Sequence, residues 1–205
     1  MSLPSGDYEG MIDTMNNRYE GSSKDMVGIL FANPQKTFAK NNILNNIEYE
    51  SIRSGKHIDF FFAGYNISKI DPHDKEIDAP NGKKWYFNVG KFENFISCIE
   101  NDSKWKYLGE TELLLLEFRN GKLRFDKSMV IWLDRAVRKE SNYSVSNLFE
   151  DIYSKARSIT RTDKPGDKCE LNPITSYIID TIRDYIIEHF GNQPNIYEVK
   201  DLSKK

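Results

Sequence analysis

"DMVGILFANPQKTF", residues 25–38, is the stretch whose reading decides the fold. Residues 26–32 form an almost unbroken apolar run of strand length, the pattern of a strand covered on both faces. Asn33 stands where a helix N-cap belongs, and Pro34 suits the first helical position, where its missing N–H costs nothing. Phe38, Ile43, Leu44, Ile47 and Ile52 recur at approximate helical spacing as far as Ser54-Gly55, which predicts a helix over 35–54. "HIDFFFAGY" (57–65) supplies a second, aromatic-rich strand closed by a glycine. Two apolar strands joined by a helix predict a right-handed βαβ unit with the strands parallel.

Working outward, "NISKIDPHDKEIDAPNGKK" (66–84) is polar and broken by Pro72, Pro80 and Asn81-Gly82. It reads as a long loop of the kind that is functional or mobile. Val89, Phe92, Phe95, Ile96 and Ile99 mark an amphipathic helix. In "ETELLLLEFRNGKLRF" (110–125), Asn120-Gly121 supplies the positive φ angles of a type I′ turn. A two-residue turn places Arg119 opposite Lys122, Phe118 opposite Leu123 and Glu117 opposite Arg124, the last pair of opposite charge. "SMVIWL" (128–133) either continues the returning strand past an irregularity at Asp126-Lys127 or forms another strand. Helical spacing returns over 144–159, with Ser144 as cap, and again from Asn172-Pro173 to the stop at Gly191. A short strand is expected at 196–199. In the other direction, residues 1–24 read as a flexible leader, with a short helix over 9–19 suggested by Met11, Ile12, Met15 and Tyr19.

The expected architecture is α/β: a mixed sheet of four to five strands with helices on both faces, plus an extra C-terminal helix. Its divisions are a leader (1–24), an α/β domain (25–159), a linker (160–172), and a C-terminal helix and tail (173–205) packing on the domain or a partner. The order β-α-β-α-β-β-α over about residues 26–159 resembles that of thioredoxin-like folds. The resemblance extends to element order alone. Asn33-Pro34-Gln35-Lys36 occupies the place of the family's C-x-x-C motif, and no proline immediately precedes "ETELLLL", where the family carries a cis-proline. With no sulfur at that position, disulfide oxidoreductase chemistry is excluded there, and an architecture by itself licenses no activity.

Composition narrows the classes of function. With 205 residues, 39% hydrophobic and 13% aromatic, the chain can bury a core. Lys and Arg number 29 against 31 Asp and Glu, which removes the bulk electrostatic reason to expect a nucleic-acid partner. Two cysteines, Cys98 and Cys169, form no C-x-x-C pair and fit a reducing cytoplasm, with no disulfide between them and no thiolate metal site. No apolar run approaches the roughly 20 residues that cross a bilayer, and the N-terminus lacks a signal-peptide core.

If strands 26–32 and 57–63 are parallel, their carboxyl ends share the edge where open α/β sheets bind ligands. The candidate ligand-binding residues there are Asn33, Gln35, Lys36, Thr37, Tyr65 and Asn66. Lys36 and the N–H groups of the following helix would contact an anion, and Thr37, Tyr65 and Asn66 would orient the ligand. The simpler reading is that Asn33 and Pro34 only cap. Asp71, His73, Asp74, Glu76 and Asp78 match no EF-hand spacing and read better as a solvated acidic loop than as a cation site. His57 and Asp59 form a dyad without a nucleophile, and Trp85, Tyr86, Phe87, Trp105 and Tyr107 suit burial better than base stacking. Arg157, Arg161, Lys164 and Lys168 read as a solvated linker.

Every usual nucleophile, metal or cofactor signature is missing. The expected function is therefore a non-catalytic interaction or regulatory module without redox activity, with no cofactor. The alternative is a small-molecule or nucleotide-binding enzyme with its site at the carboxyl ends of strands 26–32 and 57–63. The apolar face of helix 173–190 is wide, because Tyr177, Ile179, Ile187 and Phe190 broaden the stripe of Ile174, Ile178, Ile182, Tyr185 and Ile186. A surplus of this kind suits a homodimer or a protein partner, or a groove of the chain's own domain.

Overall fold

In the computed structural model, which describes residues 6–18, 25–49, 58–78, 84–139, 144–162 and 174–204, the run at 26–32 is the middle of the architecture. In chain order the elements are α1 (Tyr8–Arg18), β1 (Asp25–Phe31), α2 (Thr37–Asn42), a 3-10 turn (Leu44–Asn46), β2 (Asp59–Phe62), β3 (Tyr65–Asn66), β4 (Lys75–Asp78), β5 (Lys84–Phe87), α3 (Val89–Asp102), β6 (Glu112–Arg119), β7 (Lys122–Trp132), α4 (Leu133–Lys139), α5 (Val145–Thr162), α6 (Ile174–Phe190) and β8 (Tyr197–Lys200). The main sheet runs β2-β1-β6-β7-β8. The β1–β2 pair is parallel and the other three pairs are antiparallel, so this is the expected mixed α/β sheet with five strands.

Helices cover both faces. Phe60 is in register with Gly28, three positions from Phe31, so the two phenylalanines point to opposite sides of the pleat. Phe31 meets Phe92 and Phe95 of α3 edge-on, and Phe60 meets Phe149 and Tyr153 of α5. The glycine in β1 has a packing reason, since a Cβ at Gly28 would lie 2.6 Å from the Phe60 ring.

The hairpin forms as read. Asn120 and Gly121 have φ of 53° and 77°, and the pairs are Glu117↔Arg124, Phe118↔Leu123 and Arg119↔Lys122. β7 is one strand carried past an irregularity: the register resumes at Leu115↔Met129, and the Ser128 hydroxyl donates to the Phe125 carbonyl within the bulged stretch. α3, α5 and α6 also lie where their spacing put them. The Ser144 hydroxyl accepts from the Asn147 N–H, and the Gly191 N–H donates to Ile187 with φ of 77°. Ile178, Ile179, Ile182, Ile186 and Phe190 of α6 are buried over α5, β6 and β7, while Tyr177 stays 63% exposed. Much of the widened face is thus covered by the chain's own domain.

Several expectations need correction. The helix predicted over 35–54 does not run continuously. The Asn33 side chain accepts from the Gln35 N–H and its carbonyl from the Lys36 N–H, which makes a turn rather than a helical start. The cap falls at Lys36, with extended backbone and no side-chain bond, and α2 lasts only six residues before the 3-10 turn. Asn42 and Asn45 bond back to the carbonyls of Phe38 and Asn41, and asparagines of this kind weaken a helix interior. Ile52 lies outside the described residues, as do His57 and Cys169.

The polar stretch 66–84 is not simply a loop, because β4 pairs with β5 and β5 with β3 in a small antiparallel sheet. Within residues 1–24, α1 is the short helix expected over 9–19, and it lies against α3 with Met11 and Met15 fully buried and the Tyr8 ring 5.7 Å from Phe95. Two methionines four positions apart anchor it, although the surrounding composition is polar. α4 was not anticipated.

Candidate functional site

The carboxyl ends of β1 and β2 do emerge side by side, and Ala63 donates to the Leu30 carbonyl across the gap. Gly64, at φ 79°, turns the chain there, because a Cβ would stand 2.8 Å from the Phe92 Cβ and 3.0 Å from the Asn88 carbonyl oxygen. Tyr65 is then driven inward. Its ring lies 4.9 Å from that of Phe87, and its hydroxyl donates to the Ala32 carbonyl at 2.5 Å. Burial and the nearby Tyr107 push the phenol far above its ordinary range.

The six candidate residues therefore separate. Tyr65 and Asn66 are buried, and the Asn66 amide packs so close to Gly6 that a Cβ there would come within 2.1 Å of Nδ2. Asn33 is half-buried, engaged in its turn, while Gln35, Lys36 and Thr37 reach solvent. The structure brings Tyr65 to the residue beside Asn33 and leaves Gln35, Lys36 and Thr37 outward.

The acidic run 71–78 has a structural centre. Asp74 accepts from the N–H groups of Ile70 and Asp71 and from the Asn88 amide, each at 2.8 Å. Burial opposes its ionisation, but the Asn88 amide and the two N–H groups outweigh burial and hold it below the ordinary carboxylate range. Asn88 also caps α3 by accepting from the Lys91 N–H at 3.0 Å. Asp59 pairs with Arg18; burial raises it and Arg18 opposes the rise.

The group that sequence reasoning passed over lies at the same edge. Glu112, in register with Phe31 on one side and Trp132 on the other, is fully buried. One carboxyl oxygen accepts from the Leu108 N–H at 2.8 Å, and the other has no hydrogen-bond partner. Burial lifts its pKa to about 7; the Leu108 N–H and the neighbouring Trp105 indole work against the rise and Glu110 adds to it. Glu110 takes a bidentate hold from Arg135 at 2.6 and 2.7 Å, which keeps it below the ordinary range. Asp134 is raised by burial and then by Glu110. Arg135 lies 4.7 Å over the Trp132 ring, and Phe31 lies 4.8 Å from Trp105. A signal existed: Glu112 stands directly before the four leucines 113–116, a charged residue at the start of a run that is buried throughout.

Among the described residues the large apolar side chains left exposed are Tyr49, Ile67, Ile70, Val89, Leu108 and Tyr177. Ile67, Ile70 and Val89 lie around the start of α3, and Leu108 lies on the segment that follows the helix. Asp74 ties the Ile70 N–H to Asn88, Val89 begins the helix, Ile67 follows β3, and Leu108 follows Tyr107, whose ring is 5.8 Å from Phe92.

On the far side of α3 a cavity of about 360 Å³ is bordered by Tyr8, Glu9, Ile12, Asp13, Cys98 and Asp102. Burial, then Glu9 and Asp102, raise the Cys98 thiol, which disfavours the thiolate. No three metal-ligating side chains gather among the described residues, and no described helix is long and apolar enough to cross a membrane. No protein-family model, curated protein or solved structure matches this chain.

Proposed function

We propose that this chain is a non-catalytic interaction or regulatory module of the cytoplasm, without redox activity, on a thioredoxin-like arrangement of elements. The carrying observation is the exposure of four large apolar side chains, Ile67, Ile70 and Val89 around the start of α3 and Leu108 on the segment after it, surface that a partner would cover. Other features support the reading. β1 pairs parallel with β2 and antiparallel with β6, which turns back as β7, so a βαβ half meets a ββα half as the element order suggests. The Tyr65 hydroxyl is engaged by the protein itself, and the raised Cys98 thiol is a poor redox group.

The test is to compare proteins cross-linked to the intact chain in its cell with those cross-linked to an Ile67→Asp, Ile70→Asp double variant. Both positions are exposed, so unfolding temperature should hold while a defined partner is lost. An unchanged set of partners would remove the reading. A homodimer through α6 would use Tyr177, the exposed member of its widened face. Sedimentation of the intact chain as a monomer would eliminate that arrangement.

Glu112 favours a second reading, a small-molecule or nucleotide-binding enzyme. A buried carboxyl lifted toward neutrality, beside half-buried Tyr107 and near Asp134, is suited to general acid–base work. Asn33, Gln35, Lys36, Thr37, Tyr65 and Asn66 would then hold the ligand. Saturable thermal stabilisation by a nucleotide, lost in Lys36→Ala, is its expected sign.

A further inference from the structure

The segment 104–111 crosses the end of the sheet and is fixed at both ends. The Lys104 N–H donates to Leu202 at 2.7 Å, and the Thr111 carbonyl accepts from Leu133 at 2.9 Å. Between these anchors two carboxyl groups hold neighbouring N–H groups of the backbone. Glu100 of α3 accepts from the Tyr107 N–H at 3.0 Å, and the fully buried Glu112 accepts from the next N–H, that of Leu108. Gly109 follows at φ 79°, with open space where a Cβ would stand. Beneath its backbone the segment's own Trp105, almost fully buried, packs on Phe31.

We propose that Glu112 is a proton-operated latch: neutral, it holds the 104–111 segment down over the end of the sheet; ionised, it lets the segment lift and uncover Trp105 and Phe31. The latch stands independently of the docking reading, since it rests on the buried side of the segment rather than its surface.

The two holding groups respond differently to pH. At Glu100 burial opposes the charged form, but the Tyr107 N–H and Lys106 outweigh it, so this carboxylate stays charged through neutrality. Glu112 moves the other way. The charged and titratable groups around it are Glu110 and Tyr107 on the segment itself and Arg135 and Asp134 on α4, and Arg135 is already taken up by Glu110. The closed form therefore binds a proton more tightly than the open form, in which Glu112 would titrate as an ordinary carboxyl. Closure is fully supported at pH below the ordinary carboxyl range and loses that support as pH rises through about 7.

The experiment is hydrogen exchange of backbone 104–111 in the intact chain, corrected for intrinsic chemical rates. Between about pH 5.5 and pH 8 the opening constant should rise on the order of twentyfold, while the 112–132 hairpin stays unchanged. Glu112→Gln, which can still accept from Leu108 but cannot ionise, should abolish the rise. Leu108→Pro, which deletes the N–H that Glu112 holds, should leave the segment open at the lower pH as well. A flat profile in the intact chain overturns the latch. So does an unaltered rise in Glu112→Gln, or a wild-type profile in Leu108→Pro, which also decides the matter if Glu112→Gln does not fold.

Discussion

The β6–β7 hairpin within the main sheet and the small β3-β5-β4 sheet that follows Gly64 are held by different kinds of interaction. At Asn120-Gly121 the turn follows from two residues that tolerate positive φ, and the pairs on either side are neighbours along the chain. At Gly64 the backbone has nearly the same φ, yet its surroundings come from far away: the Phe92 side chain, the Asn88 carbonyl, and Asp74 reaching Asn88 from across the small sheet. A local turn is specified by its own residues. The second region is specified by groups that meet only once the domain is assembled.

The sharpest way to break that comparison is to place the same methyl group in both turns. Gly64→Ala combines positive-φ strain with a Cβ pressed against a core side chain and a backbone oxygen, and should cost about 3–4 kcal/mol. Urea unfolding measures it. A cost no greater than that of the matching change at Gly121 would mean that the assembled surroundings contribute nothing.

This contrast also explains what was legible in the sequence. The hairpin, α3, α5, α6 and the mixed sheet were readable because each rests on periodicity or on a turn residue acting locally. The run 66–84 looked like a loop because Asp74 and its neighbours are polar, and Asn88, the partner that ties Asp74 to the start of α3, lies outside the run. Asn33-Pro34 looked like a cap because the side chain of Asn33 serves a turn with the same chemistry it would use to cap a helix. Of the candidate site, the shared edge of β1 and β2 was foreseen. Glu112 was missed because its meaning depends on burial between Phe31 and Trp132, neither of them near it in sequence.

Next in size is Asp74→Ala, which leaves two N–H groups and the Asn88 amide without their acceptor and should cost about 2–3 kcal/mol. The pH dependence has a definite sign. Because the folded pKa of Asp74 lies below its ordinary value, its contribution is present above the unfolded pKa and is lost as pH falls through the folded one. The intact chain should lose stability in that acid window more steeply than the variant does, as pH-resolved urea midpoints would reveal. Parallel curves would mean that Asp74 is not what orders the segment.

Gly121→Ala should be milder, about 1–2 kcal/mol, because it carries the positive-φ penalty with only one close neighbour. That neighbour is the Asn16 Oδ1, 3.2 Å from the added Cβ, a side-chain tip on the exposed face of α1 that can rotate away. Thermal unfolding of the two alanine variants side by side is the direct comparison.

The smallest effect concerns the ion pair that the sequence suggested as support for the register. Glu117 and Arg124 do stand opposite each other, yet the Arg124 guanidinium lies 3.5 Å from Asp126, and Glu117 has Arg119 at 3.9 Å. Both Arg124 and Asp126 are exposed, and a pair of that kind contributes less than about 0.5 kcal/mol once salt and side-chain entropy are included. Arg124→Ala should accordingly leave the urea midpoint almost unchanged and the Phe118–Leu123 pairing intact by cross-strand NMR contacts. The register would then be held by the turn and by the buried leucines of β6, with the charge pair a bystander. A loss above about 1 kcal/mol, or a slipped register, would show that the opposite charges do part of the work assigned here to Asn120-Gly121.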